Sequence, residues 1–173
     1  MGMTCAFHNL RRASRAVTQV YDAYFDTIGL KATQFTVLAA LLYESEGRPT
    51  VSDLATALVL EQSSLSRNLA VLERLGYIKL VPGDDRRERI VTLTRPGRLA
   101  LQRGYPVWKA AQSAVAEAME GRELDAQIRS LRKLTKTALS LRPPRPERTS
   151  RPRGEAERQA PRKTPKNAAT LEK

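Results

Sequence analysis

Glu61-Gln-Ser-Ser-Leu-Ser-Arg-Asn-Leu-Ala-Val-Leu-Glu-Arg-Leu-Gly-Tyr-Ile78 joins a regular leucine repeat to a small and basic set of residues between the leucines. Leu65, Leu69, Leu72 and Leu75 recur at steps of three and four, which places them on one face of a helix and directs that face to a core. The helix spans about Gln62 to Leu75, and Gly76 stops it. The opposite face presents Ser63, Ser66, Arg67, Ala70 and Arg74, all small or basic. Such a face can approach a nucleic-acid duplex closely. Ser and Arg donate to base edges and phosphates, and Arg pairs in two-pronged fashion with guanine in the major groove. The free N–H groups at the start of the helix, near Gln62, point positive dipole toward phosphate.

Outward from this helix the chain reads as short amphipathic pieces. Upstream, a helix over about Ser52 to Leu58 can be capped by Thr50 or Ser52, and Glu46-Gly-Arg-Pro49 is a break. Before it lie a helix over about Thr33 to Tyr43 and a long amphipathic helix from about Cys5 to Ile28, closed by Gly29. Downstream, Tyr77 to Val81 and Arg89 to Thr94 read as two strands joined by the turn chemistry of Pro82-Gly-Asp-Asp85. This hairpin carries Arg86, Arg87 and Arg89 at one end. A thin arginine-bearing hairpin suits the minor groove, where negative potential is strongest. Asp85, two residues before Arg87, is spaced to hold its guanidinium in a fixed pose. Pro96 opens a long helix to about Met119, with a kink expected at Pro106. Gly121 punctuates, and Leu124, Ile128, Leu131, Leu134, Ala138 and Leu141 form the stripe of a last helix. The expected fold class is mainly α with a small β-hairpin wing: a winged helix-turn-helix.

Composition narrows the partner. Thirty Lys and Arg stand against 18 Asp and Glu, a net +12 in 173 residues. That surplus favours a polyanion, either nucleic acid or an anionic membrane surface. Residues 142–173 hold ten basic and four acidic residues and six of the ten prolines, with no aromatic; they read as a disordered basic Pro-rich tail. Residues 1–141 then form one domain, and body and tail carry +6 each. The tail reads either as a DNA-binding arm or as a spacer with a basic bias. No apolar run has the length of a bilayer span and no signal-peptide pattern opens the chain, so a cytoplasmic protein without a membrane partner is expected.

Enzyme chemistry finds no constellation. His8 and Cys5 are the sole histidine and cysteine, which excludes a His/Cys metal cluster within one chain and any internal disulfide. There is no Gly-rich phosphate loop, so no cofactor and no catalytic residue is assigned.

Three stretches carry a family resemblance: residues 29–38 (Gly-Leu-Lys-Ala-Thr-Gln-Phe-Thr-Val-Leu), residues 61–78, and residues 84–98 (Asp-Asp-Arg-Arg-Glu-Arg-Ile-Val-Thr-Leu-Thr-Arg-Pro-Gly-Arg). The last is the most specific: a wing written Asp-x-Arg, a strand ending Leu-Thr and a helix-opening Gly. The chain resembles the MarR family of bacterial regulators over about residues 5 to 141. The resemblance implies a homodimer built from helices about 5–28 and 96–141, around a DNA-binding lobe of about 32–95. It implies binding to a pseudo-palindromic operator on double-stranded DNA, usually as a repressor. It places major-groove contacts at Ser63, Ser64 and Arg67, the wing arginine at Arg87 and its partner at Asp85. With Gln62, Ser66 and Arg86 these form the expected DNA-binding set. It also implies release from DNA by a small effector, often aromatic, bound between the dimer region and the lobe. The aromatics Tyr21, Tyr24, Phe25, Tyr105 and Trp108 read either as core and interface or as lining of such a pocket.

Two alternatives stay open. Cys5, with His8, Arg11 and Arg12 nearby, is a candidate redox switch, or else a small apolar residue in a first helical turn. A winged helix can also serve as a protein-interaction module that does not read DNA.

Overall fold

A computed structural model describes residues 4–43, 48–83, 85 and 87–141. Arg86 of the expected site and the whole tail at 142–173 lie outside the described residues. The chain divides into two compact units, one ending at Ser130 and one starting at Leu131.

The elements follow the apolar pattern. Helix α1 (Ala6–Phe25) continues into a 3₁₀ turn (Asp26–Ile28), and Gly29 ends it at φ 68°. Helix α2 (Ala32–Tyr43) buries Phe35, Val37, Leu38 and Leu41. Helix α3 (Val51–Ala57) buries Leu54 and Ala55, and α4 (Gln62–Arg74) buries Leu65, Leu69 and Leu72. Strands β1 (Ile78–Pro82) and β2 (Arg89–Leu93) pair antiparallel, Ile78 opposite Leu93 and Pro82 opposite Arg89. Helix α5 (Arg95–Ala118) passes through Pro106, and α6 (Arg122–Ser140) follows.

One core gathers these faces. Phe25, Leu30, Leu38, Leu41, Leu54, Leu65, Leu69, Leu72, Ile78, Val91 and Ala100 are all buried in it. The Phe25 and Phe35 rings meet at a centroid distance of 4.9 Å. No polar side chain is buried there among the described residues, so the core carries no desolvated charge to compensate.

Two expectations change. Leu75, read with the core leucines, is 44% exposed. It is the C-cap of α4, and Gly76 at φ 73° turns the chain away before that side chain reaches the core. The break at 46–49 also ends in structure: Thr50 bridges Ile90, and the Val91 amide donates to the Pro49 carbonyl at 2.9 Å. The residues just before α3 thus lie along the free edge of the wing.

The wing, α4 and α5 meet at one junction. The Thr94 hydroxyl donates to the Gly76 carbonyl at 2.6 Å and accepts from the Gly97 amide at 3.1 Å. The Thr94 amide donates to the Tyr77 carbonyl at 3.0 Å. Thr94 is the N-cap of α5 and ties it to the end of α4. Gly97 is needed here for closeness: a β-carbon would collide with the Tyr77 carbonyl and lie 2.8 Å from Leu93 Cδ1. Gly97→Ala is expected to lower stability by about 1–3 kcal/mol in urea denaturation, as overpacking does. Gly121→Ala, whose β-carbon meets no heavy atom within 4 Å, should change it by less than about 0.5 kcal/mol.

Candidate nucleic-acid interface

With its three leucines buried, α4 turns its remaining faces outward. Gln62, Ser63, Ser64, Ser66, Arg67, Ala70 and Arg74 are all exposed. At 3.6 residues per turn, Ser63, Arg67, Ala70 and Arg74 lie opposite the buried leucines, while Ser66 and Ser64 flank them on either side. Two of these groups are held by the helix itself. Ser66 Oγ donates to the Gln62 carbonyl at 2.7 Å, and Arg67 Nε donates to the Ser63 carbonyl at 3.3 Å. The second bond leaves both Nη groups of Arg67 for an outside acceptor.

A groove of about 440 Å³ lies between α3, the start of α4 and the wing. It brings Gln62, Ser63 and Ser66 together with Arg87. Ser64, Arg67 and Asp85 do not line it. The remaining lining comes from Thr50, Val51, Ser52, Glu88 and Arg89, none of them in the set expected from sequence. Arg89 stood in the basic cluster of the hairpin. Thr50 and Ser52 carried only a capping signal, because their place beside the wing depends on the bridge to Ile90.

Asp85 differs from expectation. Its carboxylate accepts from the backbone N–H of Arg87 at 2.9 Å, and no ion pair joins the two side chains. A short carboxylate reaches the amide two residues on more readily than a mobile guanidinium. With Glu88 N–H donating to the Asp85 carbonyl at 2.9 Å and Gly83 N–H to the Glu88 carbonyl at 3.0 Å, this bond shapes the tip of the wing.

The supporting helix is set by a capping box. Thr50 N–H donates to Asp53 Oδ2 at 2.9 Å, and Asp53 N–H donates to Thr50 Oγ1 at 3.2 Å. At its other end α3 closes with amides of Leu60 and Val59 donating to the carbonyls of Ala55 and Thr56, a Schellman turn. The left-handed residue of that turn is Val59 at φ 54°, where a β-branched side chain is strained.

Cys5 is exposed as the N-cap of α1, and its carbonyl accepts from the Asn9 amide at 3.1 Å. Arg11 stands over the Phe7 ring at 5.4 Å. Tyr21 donates its hydroxyl to Gln112 of α5, and burial raises its pKa. No group of three or more His, Cys, Asp or Glu side chains able to hold a metal occurs among the described residues. No helix among them is long and apolar enough to cross a membrane.

The sequence profile of the MarR family matches residues 28–88, which take in α2, α3, α4, β1 and most of the wing loop. The transcriptional regulator MosR of M. tuberculosis, solved in complex with DNA, superposes with a TM-score of 0.72 at 33% identity, over 80% of this chain and 99% of that one. The chain belongs to the MarR family. BadR of Rhodopseudomonas palustris, a transcriptional activatory protein, is 39% identical over 77 residues, 40% of this chain and 41% of that protein. BpsR of Bordetella bronchiseptica, whose DNA binding is regulated by 6-hydroxynicotinic acid, superposes with a TM-score of 0.66 at 25% identity, over 76% of this chain and 94% of that one. The matches span 41% to 63% of the length of the curated relatives. As a MarR-family member the chain presents the winged helix-turn-helix as α3, α4 and the β1–β2 hairpin.

The capping box gives α3 a pH signature. The backbone bond from Thr50, and then its hydroxyl, lower the Asp53 pKa below its ordinary 3.8. A lowered folded-state pKa contributes stability that is present above the unfolded value and lost as pH falls through the folded one. Thermal unfolding between pH 7 and pH 2 should therefore show a shallower acid limb for Asp53→Asn than for the wild type. Superimposable limbs would count against the capping box.

Proposed function

We propose that this chain regulates transcription by binding double-stranded DNA as a homodimer on a pseudo-palindromic operator. One observation carries the reading: Gln62, Ser63 and Ser66 of α4 share a groove with Arg87 of the wing, beside the exposed Ser64 and Arg67. In the proposed complex the outer face of α4 enters the major groove. There Ser63, Ser64 and Arg67 meet base edges, and Arg67 offers its free Nη groups to guanine O6 and N7. Gln62 and Ser66 add contacts near the helix start. Arg87, with Arg86 beside it in sequence, enters the adjacent minor groove, while Asp85 keeps the wing tip in shape. The DNA complex of MosR supports this docking.

The dimer reading rests on apolar side chains left uncovered on the terminal helices. Phe7, Leu10, Val17 and Val20 of α1 are exposed, as are Leu131, Leu134 and Leu139 of α6. Two-fold pairing of such faces would present two α4 helices to half-sites about 34–36 Å apart.

The effector reading rests on a cleft of about 330 Å³ between α2 and α5. Phe35, Leu42, Tyr43, Leu101 and Tyr105 give it apolar and aromatic walls, with Arg98 and Gln102 as polar groups. A small aromatic molecule fits that lining, and BpsR supplies a relative controlled by one. Occupancy would favour one spacing of the two α4 helices over another and so weaken DNA binding. We read the regulation as repression by promoter occlusion; BadR shows that relatives can bear the name of activators. The exposed Cys5 offers a second input: a peroxide oxidises its thiolate to a sulfenic acid, the peroxide's other oxygen leaving as water or alcohol, and a thiol of another molecule condenses with the sulfenic acid to a disulfide with release of water.

Fluorescence anisotropy with the duplex upstream of the chain's own gene tests the reading. Tight binding there and weak binding to a scrambled duplex are expected, with Arg87→Ala weakening the first at least tenfold. An unaltered affinity in Arg87→Ala would favour a protein-interaction module. Sedimentation equilibrium should give a dimer for the wild type and a monomer for Leu131→Glu/Leu134→Glu; a monomeric wild type would refute the two-fold arrangement.

A further inference from the structure

The wing is a ribbon of two strands, and a hairpin of that size is marginal by itself in water. Its rigidity depends on what holds its edges. In an antiparallel ladder, pairs that bond each other alternate with pairs whose N–H groups point away from the hairpin. Leu80 and Val91 face each other as a pair of the second kind. The Val91 amide donates to the Pro49 carbonyl at 2.9 Å, on the edge beside α3. On the other edge the Leu80 amide donates to Oε1 of Glu73, in the last turn of α4, at 3.1 Å. One rung of the wing is thus gripped from both sides, by the segment leading into α3 and by the end of α4.

The helix itself gives no reason for a carboxylate at Glu73. The residue lies one position before the end of α4, where the helix dipole disfavours negative charge. Ala70 and Leu69, three and four positions back, offer it no partner along the helix. No ion pair with a described residue offsets its charge. Glu73 is exposed, and an exposed bond exchanges readily with water, so it adds little to unfolding stability. What the bond fixes is the place of β1 against α4. The grip lies two residues from the Pro82–Arg89 rung, about 7 Å along the strands, and Arg87 lies beyond that rung. A small rotation at Leu80 is therefore a larger displacement at Arg87. A minor groove about 6 Å wide admits little such play.

We infer that Glu73 is a positioning residue for DNA binding. By accepting the Leu80 amide it fixes the wing to the end of α4, opposite the Pro49 bond, so that Arg87 is aligned with the minor groove while α4 occupies the major groove. A carboxylate is repelled by phosphate, so its part is to hold the wing and not to contact the duplex. This rests on the proposed docking of α4 and Arg87. The Pro49 bond runs between backbone groups, whereas the Glu73 bond depends on a side chain and can be released by substitution. Glutamine keeps an oxygen acceptor at the same reach, and alanine has none.

The test uses the full chain with Glu73→Gln and Glu73→Ala, each alone and combined with Arg87→Ala. Both substitutions remove the same charge, so a difference between them reports the acceptor. Circular dichroism melts establish that each form folds as the wild type does. Hydrogen exchange of the Leu80 amide, followed by NMR, reads the bond without DNA: it should be faster in Glu73→Ala and near the wild-type rate in Glu73→Gln. Anisotropy with the upstream duplex should show Glu73→Ala binding about fivefold more weakly than Glu73→Gln, a factor that fits one lost hydrogen bond. With Arg87→Ala already present, the two should bind within about twofold of each other, because the wing then has no contact to align. Equal affinities of the Gln and Ala forms with Arg87 intact overturn the inference and leave the DNA-binding reading standing. Equal Leu80 exchange in the two forms overturns it too. A fivefold gap that persists without Arg87 places the effect in α4 itself and likewise overturns it. A wild type that does not prefer the upstream duplex over a scrambled one removes the docking reading, and this inference with it.

Discussion

The hydroxyl of Thr94 holds the junction on which the other elements depend. It donates to the Gly76 carbonyl where α4 ends and accepts from the Gly97 amide where α5 begins. The Thr94 amide closes the wing onto the Tyr77 carbonyl. Two stretches of backbone, Gly76–Tyr77 and Thr94–Gly97, therefore meet closely, and the absent side chain of Gly97 is what lets them. Recognition helix, wing and long helix keep a fixed relation because their ends share these bonds. An effector that moved α5 would act on α4 through the same junction, since packed elements transmit shifts without absorbing them.

The rest of the candidate interface is held by short, local bonds of modest individual strength. The Thr50–Asp53 capping box sets the start of α3, and Asp85 sets the wing tip through the Arg87 amide. Both are carboxylates that spend their charge on backbone N–H groups. Arg87 and Arg89 of the wing line the groove. Glu88 lines the same groove and offsets part of that charge.

Local strain sits at the same motif. Val59 occupies the left-handed position of the α3–α4 turn, where glycine would be relaxed. The burial of Leu54 and Leu65 on either side over-determines the turn and sustains it. Gly29 and Gly76 close α1 and α4 at the equivalent conformation without cost.

Much of this was legible in the order of residues. The three- and four-residue spacing of Leu65, Leu69 and Leu72 determined a helix and its buried side, so its outer serines and Arg67 could be named at once. Gly29, Gly76, Pro96 and the Asp-rich turn at 82–85 marked element ends, because each favours a backbone conformation that regular structure does not. Charge counts located the basic surplus near the C-terminus without any coordinates. Other facts depend on residues distant in sequence. Thr50 and Ser52 join the groove only because Thr50 pairs with Ile90, 40 positions away. Leu75 leaves the core although its spacing fits, because Gly76 redirects the chain. Asp85 bonds an amide in place of a guanidinium, a choice made by distance at the folded tip. Periodicity reports which face of an element is apolar; only packing decides what that face meets and where each end turns.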